Sequence, residues 1–350
     1  MKSELATKEQ KNGLKAIYNK LWDVLFFLLI FPAIIGSFFL VREVKAFRHK
    51  LRQVDTGSHL PDFSDLKLCI PILSVTLILK IICENICVIF TRKIVSTKYP
   101  QPTTEEKKIE NEKIAKKLAQ HIFKGSYYLF ISIFAFFVLK DIDYCPVYIG
   151  GSGSLKNSYK PGYPESYFFE RTKYFNLHYL ICLSYSLADI IYLLFIYEKQ
   201  TDFLNMLLHH ICTITLILYS FLTNLSNIGS VVLLIHNITD VVVHITRFGI
   251  RAKFPEFFLI ITGIILILVF IYLRLFVFAE CIYSLAYGFC RWDDGWTTRF
   301  LVLFLSCLYL LHVNWTIRLL EKAYQKIRGN KITDTTSFKK SKELKDKKRE

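Results

Sequence analysis

Long apolar runs, separated by short polar or charged segments, recur along almost the whole chain. Most of them approach the roughly 20 residues that an α-helix needs to cross the hydrocarbon core of a bilayer. We therefore predict an all-α integral membrane protein with about eight transmembrane helices. The predicted spans are 21–41, 66–90, 122–139, 174–197, 203–222, 228–248, 256–279 and 299–320.

The first apolar run, 21–41, leaves two topologies open. It is too long for the apolar core of a signal peptide and has no clear small-residue cleavage site. With eight spans, however, the basic loop 42–65 would lie on the lumenal side, against the positive-inside rule. A seven-span form, in which 21–41 lies in the membrane interface, removes this conflict and is the alternative.

Charged residues in and after the second span allow two predictions about local structure. Lys80 and Glu84 lie inside the apolar run, and their spacing of four places them on one helix face. We expect the two side chains to neutralise each other within the bundle. The charged segment 91–121 contains prolines at its start and is predicted to be helical after Thr104.

The pattern divides the chain into four regions. A basic N-terminal tail, 1–20, precedes the N-terminal spans and the charged cytosolic segment, which together occupy 21–121. A six-helix bundle occupies 122–320, and we expect this bundle to carry the function. The basic C-terminal tail, 321–350, is predicted to be cytosolic and largely disordered.

The composition fits a membrane protein and argues against a nucleic-acid partner. Of the 350 residues, 53% are hydrophobic, and the net formal charge is +16. The basic residues lie in the two tails, in short loops and at the ends of apolar runs, as the positive-inside rule and anionic lipids would require. Most cysteines lie inside apolar runs. A disulfide among Cys145, Cys281 and Cys290 is an option if their loops face an oxidising lumen.

The spans 203–222 and 228–248 contain the main candidate for chemistry. Ionisable side chains inside a bilayer are costly and commonly functional. This helical hairpin contains five of them: His209, His210, His236, Asp240 and His244. A single buried histidine is more often a structural hydrogen-bonding group, but five ionisable groups in one hairpin favour an active site.

The helical repeat places several of these groups at one depth. If the two helices run antiparallel, His209 and His210 lie level with Asp240, about 10 Å from the cytosolic end. The polar stripe of the first helix comprises Asp202, Asn205, His209 and Thr213. His210 is rotated by about 100° from this stripe. We therefore predict that His209 is the reacting imidazole and that His210 orients it or packs against a neighbouring helix. The stripe of the second helix comprises His236, Asp240, His244 and Arg247.

A histidine beside a carboxylate supports two kinds of chemistry. The imidazole can act as a general base, or as a nucleophile that carries an acyl group. Three or four histidines with an aspartate could instead bind zinc or iron. Membrane di-iron enzymes, however, contain H-x-x-H-H boxes, which this chain lacks. We therefore predict no metal ligands among the site residues.

These residues resemble the signature of the ceramide synthases, members of the longevity-assurance or TLC-domain family. That signature has an acidic residue followed by Phe, a His-His pair, and H-D-x-x-D in the next helix. The matching residues are Asp202-Phe203, His209-His210 and His236-Asn237-Ile238-Thr239-Asp240. The resemblance covers about residues 65–325, with weaker agreement at Arg274, His312 and Trp315. It implies that 122–320 is a TLC-type six-helix bundle.

The chain departs from this signature at three positions. Asn237 replaces the first acid of H-D-x-x-D, and an amide can hydrogen-bond but cannot carry a negative charge. His244 and Arg247 stand where the family has Glu and Lys. Asn237, His244 and Asp202 are therefore given supporting roles.

The resemblance implies transfer of a fatty acyl group from acyl-CoA to the amine of a sphingoid base, giving a ceramide or dihydroceramide. His209 would accept the acyl group, and Asp240, with His236 or His210, would take a proton from the attacking amine. The residues expected to hold the CoA phosphates are Lys199, Arg247, Arg251 and Lys253. Acyl-CoA is then a co-substrate, and no other cofactor is expected.

The last residues, Lys347-Lys348-Arg349-Glu350, resemble a dilysine retrieval signal of the endoplasmic reticulum. We therefore expect a multi-pass protein of that membrane, with the cytosolic C-terminus that the distribution of Lys and Arg predicts. Its partners would be fatty acyl-CoA, a sphingoid base and membrane lipids, without nucleic acid; homo- or hetero-oligomers are left open. Two alternatives remain. The chain could be a non-enzymatic TLC-domain protein for translocation or lipid sensing, or a metal-dependent lipid enzyme.

Overall fold

The computed structural model describes residues 63–101, 103–158, 174–197, 203–289 and 296–328, with isolated positions between 41 and 49. Within these ranges every named element is helical. Among the described residues, seven helical stretches are long and apolar enough to cross a membrane. They correspond to seven of the eight predicted spans, so the prediction of an all-α integral membrane protein is confirmed. The predicted span 21–41 falls almost wholly outside the described residues.

The spans are built from eight α-helices. They are α1 (Cys69–Lys98), α2 (Glu105–Leu139), α3 (Phe175–Phe195), α4 (Phe203–Leu222), α5 (Ser226–Arg251), α6 (Glu256–Val269), α7 (Phe278–Phe289) and α8 (Trp296–Ile327). A π-helical segment, Phe270–Val277, joins α6 to α7, so that these three elements form one span. Short 3₁₀ turns precede α1 at Asp65–Leu68 and interrupt the connection after α2 at Val147–Ile149 and Leu155–Ser158.

The start of α2 follows from its sequence. Thr104 has an extended backbone, and its Oγ1 accepts a hydrogen bond from the backbone N–H of Lys107 at 3.4 Å. Glu105 and Glu106 fill the first turn, where negative charge favours the helix N-terminus. The predicted start of a helix after Thr104 is confirmed. The helix then continues without a break through the predicted boundary at residues 121 and 122.

A tight turn joins α4 to α5 and makes the two helices antiparallel. Asn224 adopts a left-handed backbone conformation with φ of 60°, which asparagine tolerates better than most residues. The backbone N–H of Leu225 donates to the carbonyl of Ser220 at 2.9 Å and closes the turn. This geometry brings the histidines of α4 to the level of the polar residues of α5.

Helix α5 lies at the centre of the bundle and packs against α2, α4, α6, the π-helical segment and α7. Helix α3 packs against α1 and α4, and α8 packs against α4 and α7. Helix α1 is peripheral. Many of its large apolar side chains, such as Ile70, Ile86 and Ile89, are exposed, as expected for a surface that faces lipid.

Two local predictions need correction or remain incomplete. Lys80 does not form its ion pair with Glu84: its ammonium binds Asp189 at 2.8 Å, while Glu84 accepts a hydrogen bond from Tyr197 at 3.1 Å. A partner from another helix therefore replaces the local one. Cys145 and Cys281 are both free and buried. Cys290 lies outside the described residues.

Candidate active site

A cavity lies between α2, α3, α4, α5, α7 and α8, with about 910 Å³ of atom-free space when the open solvent at its mouth is included. Its polar half is formed by side chains near the predicted cytosolic side: Asp189, His209, His210, Thr213, His236, Asn237 and Asp240. Its apolar half extends toward the turn between α4 and α5 and includes Leu216, Ile228, Val232, Leu285, Leu301 and Leu305. The distance along α5 from Asp240 to Ile228 is about 18 Å at about 1.5 Å per residue.

The four residues predicted to be catalytic all line this cavity. His209 and His210 reach it from α4, and His236 and Asp240 reach it from α5. Asn237 lines it too. The structure thus brings the predicted residues together. The pairing of the two histidines with Asp240 is not observed, because His210 faces Asp189 and Asp240 binds Arg274.

His209 stands at the edge of an aromatic and imidazole cluster. Its ring centroid lies 5.3 Å from that of Trp315 and 6.4 Å from that of His312, both on α8. Its Nδ1 is buried and has no hydrogen-bond partner in the described part of the chain. Packing therefore fixes the ring, and a polar atom remains available for a ligand.

His236 is oriented by its own helix. Its Nδ1 lies 2.7 Å from the carbonyl oxygen of Val232, which can only accept, so the proton lies on Nδ1. Nε2 is then the basic nitrogen. This Nε2 is buried without a hydrogen-bond partner among the described residues. His236 is consequently prepared to receive a proton from a group inside the cavity.

Asp240 is bound to Arg274, which lies in the π-helical segment. Arg274 Nη2 donates to Asp240 Oδ1 at 2.7 Å and to the backbone carbonyl of His236 at 3.1 Å. Arg274 Nη1 lies 3.0 Å from Nε2 of His312. Since a guanidinium only donates, this Nε2 accepts and the His312 proton lies on Nδ1. Arg274 is 2% exposed, whereas the Asp240 side chain keeps 25% exposure.

Asp189 on α3 forms a second charged cluster beside the first. Lys80 Nζ lies 2.8 Å from Oδ1, and Lys124 Nζ lies 2.7 Å from Oδ2. His210 Nε2 lies 3.6 Å from the same Oδ2. Asp189 and Lys124 were not predicted to belong to the site, and Arg274 was noted only for its agreement with the ceramide synthases. The signal that could have found them was their position as charged residues inside predicted spans.

Aromatic side chains enclose the Asp189 cluster. Lys80 Nζ lies 4.0 Å from the ring centroid of Tyr192 and 5.2 Å from that of Tyr197. The Tyr197 hydroxyl donates to Oε1 of Glu84 at 3.1 Å.

His244, which was predicted to support catalysis, lies away from the cavity lining. Its Nδ1 is 3.1 Å from Nδ1 of His121 on α2, and its ring stacks on Tyr128 with centroids 5.5 Å apart. Asp202, the other supporting residue, lies outside the described residues. The structure therefore connects His244 to the α2–α5 interface.

The residues predicted to bind CoA are only partly described. Lys199 lies outside the described residues, while Arg247 and Arg251 occupy the last turns of α5. Lys253 follows that helix; its Nζ lies 3.6 Å from the ring centroid of Tyr99 and donates to the carbonyl of Lys98 at 3.3 Å. Lys253 is thus tied to the end of α1, and none of the described three lines the cavity.

The far end of the apolar half is closely packed. The hydroxyls of Tyr179 and Ser220 are 2.6 Å apart. A Cβ atom at Gly229 would lie 2.0 Å from the Tyr179 hydroxyl, so a side chain could not be added there without a shift. The cavity is therefore suited to a ligand with a polar group at the histidines and a slender apolar part.

The described residues contain no group of three or more His, Cys, Asp or Glu that could hold a metal ion. The histidines instead have a backbone carbonyl, a guanidinium, a carboxylate or one another as neighbours. An imidazole with an unpartnered nitrogen, a second imidazole with a basic Nε2 and an accessible carboxylate can together perform nucleophilic and general-base steps.

Comparison with known proteins identifies the family of the chain. The model of the TLC domain family matches residues 117–321, more than half of the chain. Ceramide synthase hyl-2 of Caenorhabditis elegans is 27% identical over 169 residues, covering 45% of this chain and 51% of the relative. Ceramide synthase hyl-1 of the same organism is 24% identical over 241 residues, covering 64% of this chain and 61% of the relative.

Ceramide synthase 4 of Mus musculus is 31% identical over 168 residues, covering 45% of this chain and 40% of the relative. The chain thus spans about half the length of the curated relatives it matches. The predicted resemblance to the ceramide synthases is confirmed by these matches, and the matched range nearly coincides with the predicted bundle, 122–320.

Proposed function

Because the chain belongs to the TLC-domain family, we propose that it is an N-acyltransferase of the ceramide synthase type. It transfers a fatty acyl group from acyl-CoA to the amine of a sphingoid base within the membrane. The observation that carries this proposal is one cavity with His209, His210, His236 and Asp240 at one end and apolar side chains along the other. Such a cavity matches a reactive acyl carbonyl joined to a hydrocarbon chain.

In the first step, a nitrogen of His209 attacks the thioester carbonyl. The carbon–sulfur bond breaks, CoA leaves as a thiol after taking up the imidazole proton, and the acyl group remains on the imidazole. The contacts of His209 with Trp315 and His312 hold the ring in place for this attack. The acyl chain extends into the apolar half of the cavity.

In the second step, the amine of the sphingoid base attacks the acyl-imidazole. A carbon–nitrogen amide bond forms, the bond to His209 breaks, and the proton that the amine loses is passed on to the leaving His209 nitrogen, which restores the neutral imidazole. Two groups can receive this proton from the amine and return it: Nε2 of His236 and the partly exposed carboxylate of Asp240. The guanidinium of Arg274 partly balances the negative charge of Asp240, and its hydrogen bond to Oδ1 fixes the orientation of the carboxylate at the cavity.

We also assign the two ends of the site to the two sides of the membrane. Arg247 and Arg251 lie about two to three turns beyond Asp240 on α5, where they would meet the phosphates of CoA together with Lys199. Lys253 contributes less, because its ammonium already contacts Tyr99 and a carbonyl. This arrangement requires a cytosolic C-terminus, in keeping with a protein of the endoplasmic reticulum membrane.

The test is ceramide formation in membranes from a host that lacks its own ceramide synthases. Wild type and His209→Ala are supplied with sphinganine and a panel of fatty acyl-CoAs. We expect product from wild type and none from His209→Ala. The matched control is His121→Ala, which removes a membrane-embedded histidine outside the cavity lining and should leave product formation of the same order.

A second measurement follows the acyl group directly. Labelled acyl-CoA without a sphingoid base should leave a hydroxylamine-sensitive label on wild type, and the label should be absent from His209→Ala. Label on His209→Ala would assign the acyl acceptor to another residue. Folded wild-type protein that makes no product with any acyl-CoA would contradict the proposed function.

One observation favours the non-enzymatic alternative. Asn237 lines the cavity at the position where the ceramide synthase signature has an acid, so one negative charge is missing. If wild type makes no ceramide and Asn237→Asp does, the absence of the acid has inactivated this protein as an acyltransferase. Silence of both, with folded protein present, would support a lipid-binding or translocation role.

A further inference from the structure

Asp189 brings a carboxylate to the His-His pair from outside the hairpin that carries the pair. Its Oδ2 lies 3.6 Å from Nε2 of His210, within ion-pair distance but longer than a hydrogen bond. Catalytic hydrogen bonds are often long in the absence of substrate and shorten in the reacting complex. The distance is therefore compatible with a carboxylate that orients His210 through a hydrogen bond formed when substrate binds.

The other polar residues of α5 are poorly placed for this role. Asn237 lines the cavity but cannot carry a negative charge. Asp240 uses its Oδ1 to bind Arg274 at 2.7 Å. Among the described residues, Asp189 is the carboxylate with a direct contact to the His-His pair.

Two lysines hold the Asp189 carboxylate in one orientation. Lys80 from α1 binds Oδ1, and Lys124 from α2 binds Oδ2, the oxygen that faces His210. Asp189 is 3% exposed and Lys80 is fully buried, so neither can relax into water. The carboxylate is thereby positioned by three helices and presents a defined oxygen to a fourth, α4.

We propose that Asp189 is the positioning residue of His210 and replaces the acid that Asn237 cannot supply. This inference rests on the proposed N-acyltransferase function, in which His210 orients His209 or takes part with Asp240 in removing the proton of the amine. It names a further residue that the reaction needs. Because two ammonium groups balance its charge, Asp189 contributes orientation and tautomer choice rather than net negative charge. An oxygen that only accepts selects the His210 tautomer with the proton on Nε2, which leaves Nδ1 with a lone pair.

The two lysines allow an unusually direct test. In Asp189→Asn, the amide oxygen must turn toward an ammonium, since a lysine only donates. If Lys124 is removed as well, the oxygen turns to Lys80, and the amide NH₂ faces His210. If Lys80 is removed instead, the oxygen stays with Lys124 and still faces His210.

The comparison is therefore between Asp189→Asn/Lys124→Met and Asp189→Asn/Lys80→Met. The two variants have the same composition and charge but present opposite amide atoms to His210. Both are measured for turnover of ceramide formation, KM for acyl-CoA and thermal unfolding midpoint in the same membranes or detergent. A merely structural role of Asp189 predicts similar turnover in the two variants.

We expect the Asp189→Asn/Lys80→Met variant to stay within about tenfold of wild-type turnover. The Asp189→Asn/Lys124→Met variant should lose up to about 10⁴-fold, the loss known for an amide that forces the wrong tautomer on a catalytic histidine. KM and unfolding midpoint should be similar in the pair. Equal turnover in the two variants would overturn the assignment.

Two additional measurements complete the design. If either double variant fails to fold, Asp189→Glu preserves the charge of the cluster and displaces the oxygen; we expect at least about a tenfold loss of turnover with unchanged KM, and wild-type turnover would overturn the inference. Asp141→Asn, at an exposed carboxylate, is the control and should match wild type. A wild type without product would overturn the proposed function and this assignment with it.

Discussion

Asp189 and Asp240 are two carboxylates on the same cavity, and their surroundings differ in kind. Asp189 is 3% exposed and is held by two lysines, one on each oxygen. Asp240 is 25% exposed, and within the described part of the chain it is bound by Arg274, which also binds His312 and a backbone carbonyl. The two environments suit different functions. A carboxylate with a lysine on each oxygen can hold a neighbouring side chain in place, whereas a partly exposed carboxylate can exchange a proton with substrate.

The largest effect is expected from Arg274→Leu, which breaks the Asp240 cluster. The change leaves the Asp240 carboxylate and the His236 carbonyl without their guanidinium. Breaking a buried pair from one side typically costs about 3–5 kcal/mol. We expect little folded protein and no product, measured by thermal unfolding and ceramide formation. Arg328→Leu, at an exposed position, is the control, and equal stability of the two variants would contradict the role of Arg274.

Asp240→Asn should separate activity from stability. The amide oxygen can still accept from Arg274, so the fold is preserved, but the amide cannot take a proton. We expect turnover to fall by about 10²- to 10⁴-fold, as for loss of a general base. The unfolding midpoint should stay close to that of wild type. Unchanged turnover would leave His236 as the proton acceptor and remove Asp240 from the second step.

Asp189→Asn alone should lower stability more than Asp240→Asn does. With both lysines present, one ammonium must face the amide NH₂, which loses a charge-assisted hydrogen bond. The expected loss of stability is about 1.5–3 kcal/mol. Thermal unfolding of Asp189→Asn and Asp240→Asn side by side tests the contrast. If Asp240→Asn proves the less stable of the two, the assignment of holding and reacting carboxylates is reversed.

The smallest effect is expected from His244→Ala. This side chain pairs with His121 and stacks on Tyr128, outside the lining of the cavity. Its loss should cost about 1 kcal/mol of stability, the value of one ordinary hydrogen bond. Turnover should keep the same order of magnitude. A loss of turnover comparable to that of Asp240→Asn would return His244 to the catalytic group.

Sequence patterns predicted what depends on neighbours along the chain. The length of apolar runs located seven spans, Thr104 marked the start of α2, and the antiparallel hairpin placed the histidines level with Asp240. The ion pairs could not be predicted in this way. Lys80 and Asp189 are separated by 109 residues, and only the packing of α1 against α3 decides that Lys80 binds Asp189 rather than Glu84.

The same limit explains the partners of the predicted site residues. The spacing within α4 and α5 gives a face and a depth for His210 and Asp240, but it contains no information on which third helix approaches that face. Asp189 on α3 and Arg274 in the π-helical segment fill those positions. A rule that every charge inside a span needs a partner identifies these residues as candidates, although it does not pair them.

The π-helical segment Phe270–Val277 has a consequence for how this site can change over evolutionary time. A π-helical turn accommodates one residue more than an α-helical turn. Deletion of a single residue within it would restore regular α-helix and keep the flanking helices in register, but it would turn the side chains of the segment itself, including Arg274, relative to those helices. Arg274 would then lose its alignment with Asp240 without being substituted. Segment length, and not residue identity alone, is therefore a heritable determinant of the candidate active site.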